Sequence, residues 1–208
     1  MVLGVVIVRR AVLPALAVGV ALVLGACGDS STSGASGGTQ TTEPAAGSET
    51  STTAASTSRE APPVSNPKDA SGVQDPCQDL LTTEQLAALG FDQPGEQKTI
   101  ADVQACTWED RAHTRELTAY VDPENDILSG TYWDKGSYQV FEEIEVGGLP
   151  AVQVLYAPDS ASCGIVVGLA DTQGLDIDYT VLRSGKGDPC GEGRKAAEAI
   201  VGNLPALR

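Results

Sequence analysis

Composition breaks at Asp75, and the break bounds what this chain can fold into. The 47 residues from Gly28 to Gln74 are nearly all Ser, Thr, Gly, Ala and Pro with scattered charge; 18 are Ser or Thr, and Val64 and Val73 are the only large apolar side chains. Such a stretch cannot bury enough surface to offset its conformational entropy, so residues 27–74 read as a cysteine followed by a disordered linker. As a flexible coil the linker spans about 40 Å. Its composition is a weak argument for O-glycosylation. The 134 residues from Asp75 to Arg208 suit one domain with one core and are too few for two.

The front end reads as an address. Arg9 and Arg10 precede an apolar run from Ala11 to Ala26, shorter than the roughly 20 residues that cross a bilayer comfortably. The run closes in Leu24-Gly25-Ala26-Cys27, which resembles the lipobox of bacterial lipoproteins. The resemblance implies a signal peptide over residues 1–26 and lipidation of Cys27, two or three acyl chains giving a stable anchor where one is marginal. The competing readings are an ordinary cleaved signal peptide and a short membrane helix with an incidental cysteine. The apolar residues Val2 to Val8 ahead of the arginines point to a translation start at Val8 rather than Met1.

From Asp75 onward 23 acidic residues face 9 basic ones. A domain this acidic repels phosphate backbones and anionic headgroups alike, which excludes nucleic acid as a partner.

Within the domain, Asp75-Pro76-Cys77 and Asp188-Pro189-Cys190 each place a capping Asp before a Pro suited to a first helical position. A helix with a Thr82–Gln85 capping box follows the first and stops at Gly90; a second helix runs over Lys195–Leu204. Between them the apolar period is two, in strands near 105–109, 117–121, 144–146, 152–156, 163–169 and 175–181. The expectation is an α+β fold: an antiparallel meandering sheet of about six strands, one face covered by an N-terminal and a C-terminal helix. Cys77, Cys106, Cys163 and Cys190 make an even count, which implies two disulfides with three possible connectivities. Strand spacing in a meander favours Cys77–Cys106 with Cys163–Cys190. Zinc is disfavoured, because the cysteines lack C-x-x-C spacing and His113 is the only histidine.

No catalytic set emerges. His113 reads as an exposed turn residue, and G-x-S-x-G is absent. Ser184-Gly185-Lys186-Gly187 lacks phosphate-loop spacing, Asp122–Asp126 is a poor calcium loop, and Glu142, Glu143 and Glu145 read as a solvated strand face. No cofactor is expected. Tyr132, Trp133 and Tyr138 cluster between two strands, either as a binding lip or with Tyr132 and Trp133 plugging one end of the core. Trp108 is expected in the core against a disulfide.

Asp75-Pro76-Cys77 with Leu80-Leu81, Cys106-Thr107-Trp108, Gly148-Leu149-Pro150-Ala151, and Cys190 with Ala196, Ala197 and Ile200 occur in this order. Together with the lipobox and spacer, they resemble the actinobacterial secreted lipoprotein family known as domain of unknown function 3558. The resemblance implies an extracytoplasmic, lipid-anchored location and no particular activity. The expected function is a non-enzymatic module that binds or senses a cell-envelope component or protein. The alternative is a cell-wall hydrolase working through paired carboxylates.

Overall fold

The computed structural model describes residues 60–182 and 185–208; the leader, the start at Val8, Cys27 and the linker as far as residue 59 lie outside the described residues. Two short helices, α1 (Pro76–Asp79) and α2 (Thr83–Ala88), lead into strands β1 (Glu96–Ile100), β2 (Val103–Glu109) and β3 (Arg115–Asp122). Helix α3 (Ile127–Trp133) and a 3-10 turn precede β4 (Val140–Val146), β5 (Leu149–Leu155), β6 (Ser162–Ala170) and β7 (Gln173–Val181); α4 (Pro189–Asn203) closes the domain. The class is α+β, with seven antiparallel strands rather than six, in the order β1-β2-β3-β7-β6-β5-β4.

The caps act where the residue types demand. Asp75 accepts from the Cys77 amide and Asp188 from the Cys190 amide, each with proline in the first helical turn. Thr82 and Gln85 form a reciprocal capping box on α2, and Gly90 (φ 85°) ends that turn in the left-handed region. The β1–β2 hairpin turns through Ala101 and Asp102, and β4–β5 through Gly147 and Gly148; all four have positive φ, as two-residue turns matched to strand twist require.

The sheet is not one meander. Two meanders, β1-β2-β3 and β4-β5-β6-β7, join where β3 pairs with β7 from Arg115↔Val181 to Asp122↔Gly174. The main core lies on one face, where Trp108, Leu117, Ile165, Ile177 and Tyr179 meet Ala196, Ala197, Ile200 and Val201 of α4. Fully burying a large apolar side chain contributes about 1.5–3 kcal/mol, so this layer dominates stability. The other face is not bare. Alternation sends Val152, Val154 and Val166 to it, and Leu128 and Tyr132 of α3 cover them. Helices therefore lie on both faces, with α3 packed across β6 and β7, where Leu128 faces Gly168 and Ile127 faces Gly174.

The folded body also begins before Asp75. Lys68 donates its amide to Leu169, Asp69 to Pro205, and Ala70 to the buried Gln173 side chain at 2.7 Å; Ala70 is fully buried, and Val64 and Val73 pack on the core. Backbone hydrogen bonds hold this strap where its composition argues for a linker.

Cys77–Cys106 ties α1 to β2 and Cys163–Cys190 ties β6 to α4, with Cα–Cα separations of 5.0 and 5.1 Å. Trp108 is buried beside the first bridge: a side chain on Gly95 would meet Cys106 Sγ, Trp108 and Cys77 Sγ together. Among the described residues no helix is long and apolar enough to cross a membrane.

Candidate functional site

The three aromatics of the expected lip part company. Tyr132 is 2% exposed and packs edge-on against Phe141 at 5.1 Å, so it belongs to the smaller core. Trp133 is 70% exposed. Consecutive helical residues point about 100° apart, so α3 cannot aim both at one ligand. Tyr138, half-buried after the 3-10 turn, stacks obliquely against Tyr156 at 5.2 Å, and these two wall a recess.

That recess, about 100 Å3, lies on the sheet face opposite α4. Its floor is Val154, Gly164 and Val166, and its far wall is Asp176 and Asp178 with Ser162. Gly164 keeps the floor open, since a side chain there would lie 2.8 Å from Val154. Burial pushes Asp176 up to about 6, against a hydrogen bond from the Tyr120 hydroxyl at 3.3 Å, and neighbouring Asp178 adds to the rise. Asp178 is also raised by burial, offset by the Thr180 hydroxyl at 2.9 Å. Burial and the other tyrosine push Tyr138 up to about 12. No ion pair among the described residues involves either aspartate.

A larger groove, about 680 Å3, runs between α2 and the β2–β3 turn. Leu86, Ala87, Phe91, Pro94 and Ala112 line it with apolar surface, and Asp92, Asp110 and Arg111 form its polar edge. The turn is pinned by carboxylates. The Arg111 amide donates to Asp92 at 2.8 Å and holds that carboxyl below its ordinary value. Burial works to raise Asp110. Hydrogen bonds from the Thr114 hydroxyl, the Thr114 amide and the Arg115 amide outweigh it and leave the carboxyl lowered. A third cleft, about 390 Å3, separates Val73–Gln74 from the β1–β2 turn and the Asp122–Asn125 loop. In that loop Asp122 accepts from the Glu124 amide and from the Asn125 amide and side chain, so its carboxylate is a turn staple.

The remaining candidates fall on the surface. His113 sits exposed in the β2–β3 turn at positive φ and pairs with Glu109. Glu142 meets Arg194 at 3.1 Å, and Glu143 meets Lys135 at 3.6 Å. Among the described residues no group of three or more His, Cys, Asp or Glu could hold a metal.

The sequence pattern held one trace of the recess: Leu175-Asp176-Ile177-Asp178-Tyr179 puts two acids on the face opposite the core. Nothing local said that Tyr138 and Tyr156 would close over them. No curated protein and no solved structure matches the chain. A family model does match, over residues 22–203, a span from the apolar leader to the last turn of α4: the chain belongs to the family described as protein of unknown function, DUF3558.

Proposed function

We propose that this protein is a lipid-anchored extracytoplasmic binding module, acylated at Cys27, that holds a largely apolar ligand in the groove between α2 and the β2–β3 turn. The groove carries the reading. Its volume of about 680 Å3 falls within the roughly 300–1,000 Å3 of small-molecule sites, and an apolar lining with a few convergent polar groups is their usual chemistry. Two disulfides suit an oxidising compartment, and the lipobox and acidic charge suit a domain held near a membrane without lying on it. The ligand is a component of the cell envelope.

The hydrolase alternative has less support. Asp176 and Asp178 stand two residues apart on one strand, about 7 Å along the same wall. Glycoside hydrolysis needs two carboxyl groups flanking a scissile bond, and a recess of about 100 Å3 has no room to place a sugar between them.

The test is capture from cell-envelope extract on the mature protein, read by mass spectrometry, beside Ala87→Trp. Ala87 is exposed on α2 and lines the groove, so tryptophan fills the groove without entering the core. A species held by the native protein and lost by the variant supports the reading; identical retention by both overturns it. For the anchor, Cys27→Ser should shift the protein from the membrane fraction to the medium, and an unacylated intact mass for the native protein would reject it.

A further inference from the structure

We propose that Cys77–Cys106 is an exchangeable bridge, opened by an external dithiol, and that its opening uncouples two walls of the cleft between Val73–Gln74 and the β1–β2 turn. The site is separate from the α2 groove and does not depend on it.

The two bridges form a matched pair. Their sequence separations are 29 and 27 residues, so loop entropy favours neither. Each joins a fully buried cysteine, Cys106 or Cys163, to a partly exposed one, Cys77 or Cys190. What differs is the polar group beside the buried sulfur. Trp108 Nε1 is buried without a hydrogen-bond partner, the one such side-chain nitrogen or oxygen among the described residues. The point that a Gly95 Cβ would occupy overlaps Cys106 Sγ and lies 2.6 Å from Nε1 and 3.0 Å from Cys77 Sγ. The unpaired donor and both sulfurs thus gather round one spot.

A buried donor left unpaired is costly, and a disulfide sulfur is only a weak acceptor. A thiolate is a strong one. Opening the bridge gives the indole N–H an acceptor that the oxidised state denies it. At the second bridge the nearby polar group is itself an acceptor: the Gly164 carbonyl lies 3.9 Å from Cys163 Sγ and opposes negative charge there. A better-stabilised leaving thiolate makes the first bridge the more readily exchanged.

The exchange balances in two steps. A thiolate of the dithiol attacks Cys77 Sγ, on the more exposed residue, and forms a mixed disulfide. The Cys77–Cys106 bond breaks, and its electron pair leaves on Cys106, to which Trp108 donates. The second thiol of the reagent then displaces Cys77. The dithiol ends as its own disulfide, and its two protons pass to the two cysteines.

The consequence falls on the cleft of about 390 Å3. One wall is Val73, Gln74 and Pro76, which lead directly into Cys77; another is Val103 and Gln104, which lead into Cys106 on β2. Helix α1 has four residues, too few to hold together unaided, so the bridge is the covalent tie between these walls.

The experiment equilibrates the whole mature protein at pH 7 with graded ratios of reduced to oxidised dithiothreitol. Thiols are trapped with iodoacetamide, and each pair is read by peptide mass spectrometry. Cys77–Cys106 should be half reduced at a ratio at least about tenfold lower than Cys163–Cys190 requires, about 30 mV for a two-electron couple. Trp108→Phe should shrink that gap to about threefold or less. Should this buried substitution fail to fold, the native protein decides. Of its two tryptophans, Trp108 should show an indole N–H resonance that moves downfield when the first pair opens and stays in place in Cys163→Ala/Cys190→Ala. Amide exchange at Val73 and Cys77 should quicken at least about tenfold on reduction of the first pair, with Ile165 unchanged. Ala87→Trp should alter none of these readouts, which separates failure here from failure of the groove reading. Joint reduction of the two pairs, earlier reduction of Cys163–Cys190, a full gap retained by folded Trp108→Phe, or an unmoved Trp108 resonance overturns the exchangeable bridge. Unchanged exchange at Val73 and Cys77 overturns its hold on the cleft.

Discussion

Replacing Gly95 with alanine should destabilise the domain by about 2 kcal/mol, and the reason is steric rather than conformational. A Cβ at Gly95 would overlap Cys106 Sγ outright and would lie 2.6 Å from Trp108 Nε1 and 3.0 Å from Cys77 Sγ. Carbon and sulfur need separations near 3.5–4 Å, and none of these neighbours can retreat. The two sulfurs are one covalent unit joining α1 to β2, and Trp108 is fully buried. Overpacking of this kind costs about 1–3 kcal/mol, here toward the upper end, while the smaller conformational freedom of unfolded alanine returns about 0.4–1 kcal/mol. For a domain of this size the net loss lowers Tm by roughly 6–10 °C. The assay is urea and thermal unfolding of the native protein, Gly95→Ala and Gly202→Ala. Gly202 lies on α4 with nothing near its missing side chain, so its substitution should be neutral or stabilising by up to about 1 kcal/mol. In a Cys77→Ala/Cys106→Ala background both sulfur contacts vanish and the Gly95→Ala penalty should at least halve, a coupling read from the double-mutant cycle. An equal penalty in both backgrounds, or no penalty in the native one, would refute the steric account.

Other consequences are open to measurement. Asp176 holds its proton to a higher pH folded than unfolded, so the native state binds more protons between about pH 4 and 6 and stability falls as pH rises through that window. Asp176→Asn should therefore stabilise the domain by about 3 kcal/mol at pH 8 and by no more than about 0.5 kcal/mol at pH 4; a pH-independent difference in urea midpoints argues against an electrostatic origin. Removing the second bridge as Cys163→Ala/Cys190→Ala, a separation of 27 residues, should cost about 3.5 kcal/mol in the chain-entropy model, measured by the same unfolding curves. Gln173→Ala strips the Ala70 amide of its acceptor. At about 1–1.5 kcal/mol for the lost bond, tryptic cleavage after Lys68 should accelerate roughly five- to tenfold if it proceeds through local opening, and an unchanged rate would mean the strap is held by other contacts.

Legibility in the sequence followed burial. Leu117-Ala119-Val121 and Leu175-Ile177-Tyr179 alternate because one face lines the main core, and both strands were readable for that reason. Strand β1, Glu96-Gln97-Lys98-Thr99-Ile100, was not, because an edge strand with almost every side chain exposed leaves no apolar period. The strap before Asp75 escaped for a related cause: main-chain amides hold it, and composition is blind to those. The Thr82–Gln85 box and the two Asp-Pro-Cys caps were plain, since each is a local exchange of hydrogen bonds. The recess needs Tyr138, Tyr156 and Asp176 from three separated segments, and the α2 groove needs the β2–β3 turn laid beside a helix. Neither arrangement leaves a periodic mark on the chain.

The join between the two meanders has a bearing on how this protein acquires its bridges. Every hydrogen bond between β3 and β7 unites residues of the first meander with residues of the second, yet neither disulfide straddles that line: Cys77 and Cys106 lie before it and Cys163 and Cys190 after it. A chain emerging N-terminus first presents one whole pair of thiols before either member of the other pair is out. Each half can thus oxidise alone, and order of arrival favours the correct pairing ahead of the docking that completes the sheet.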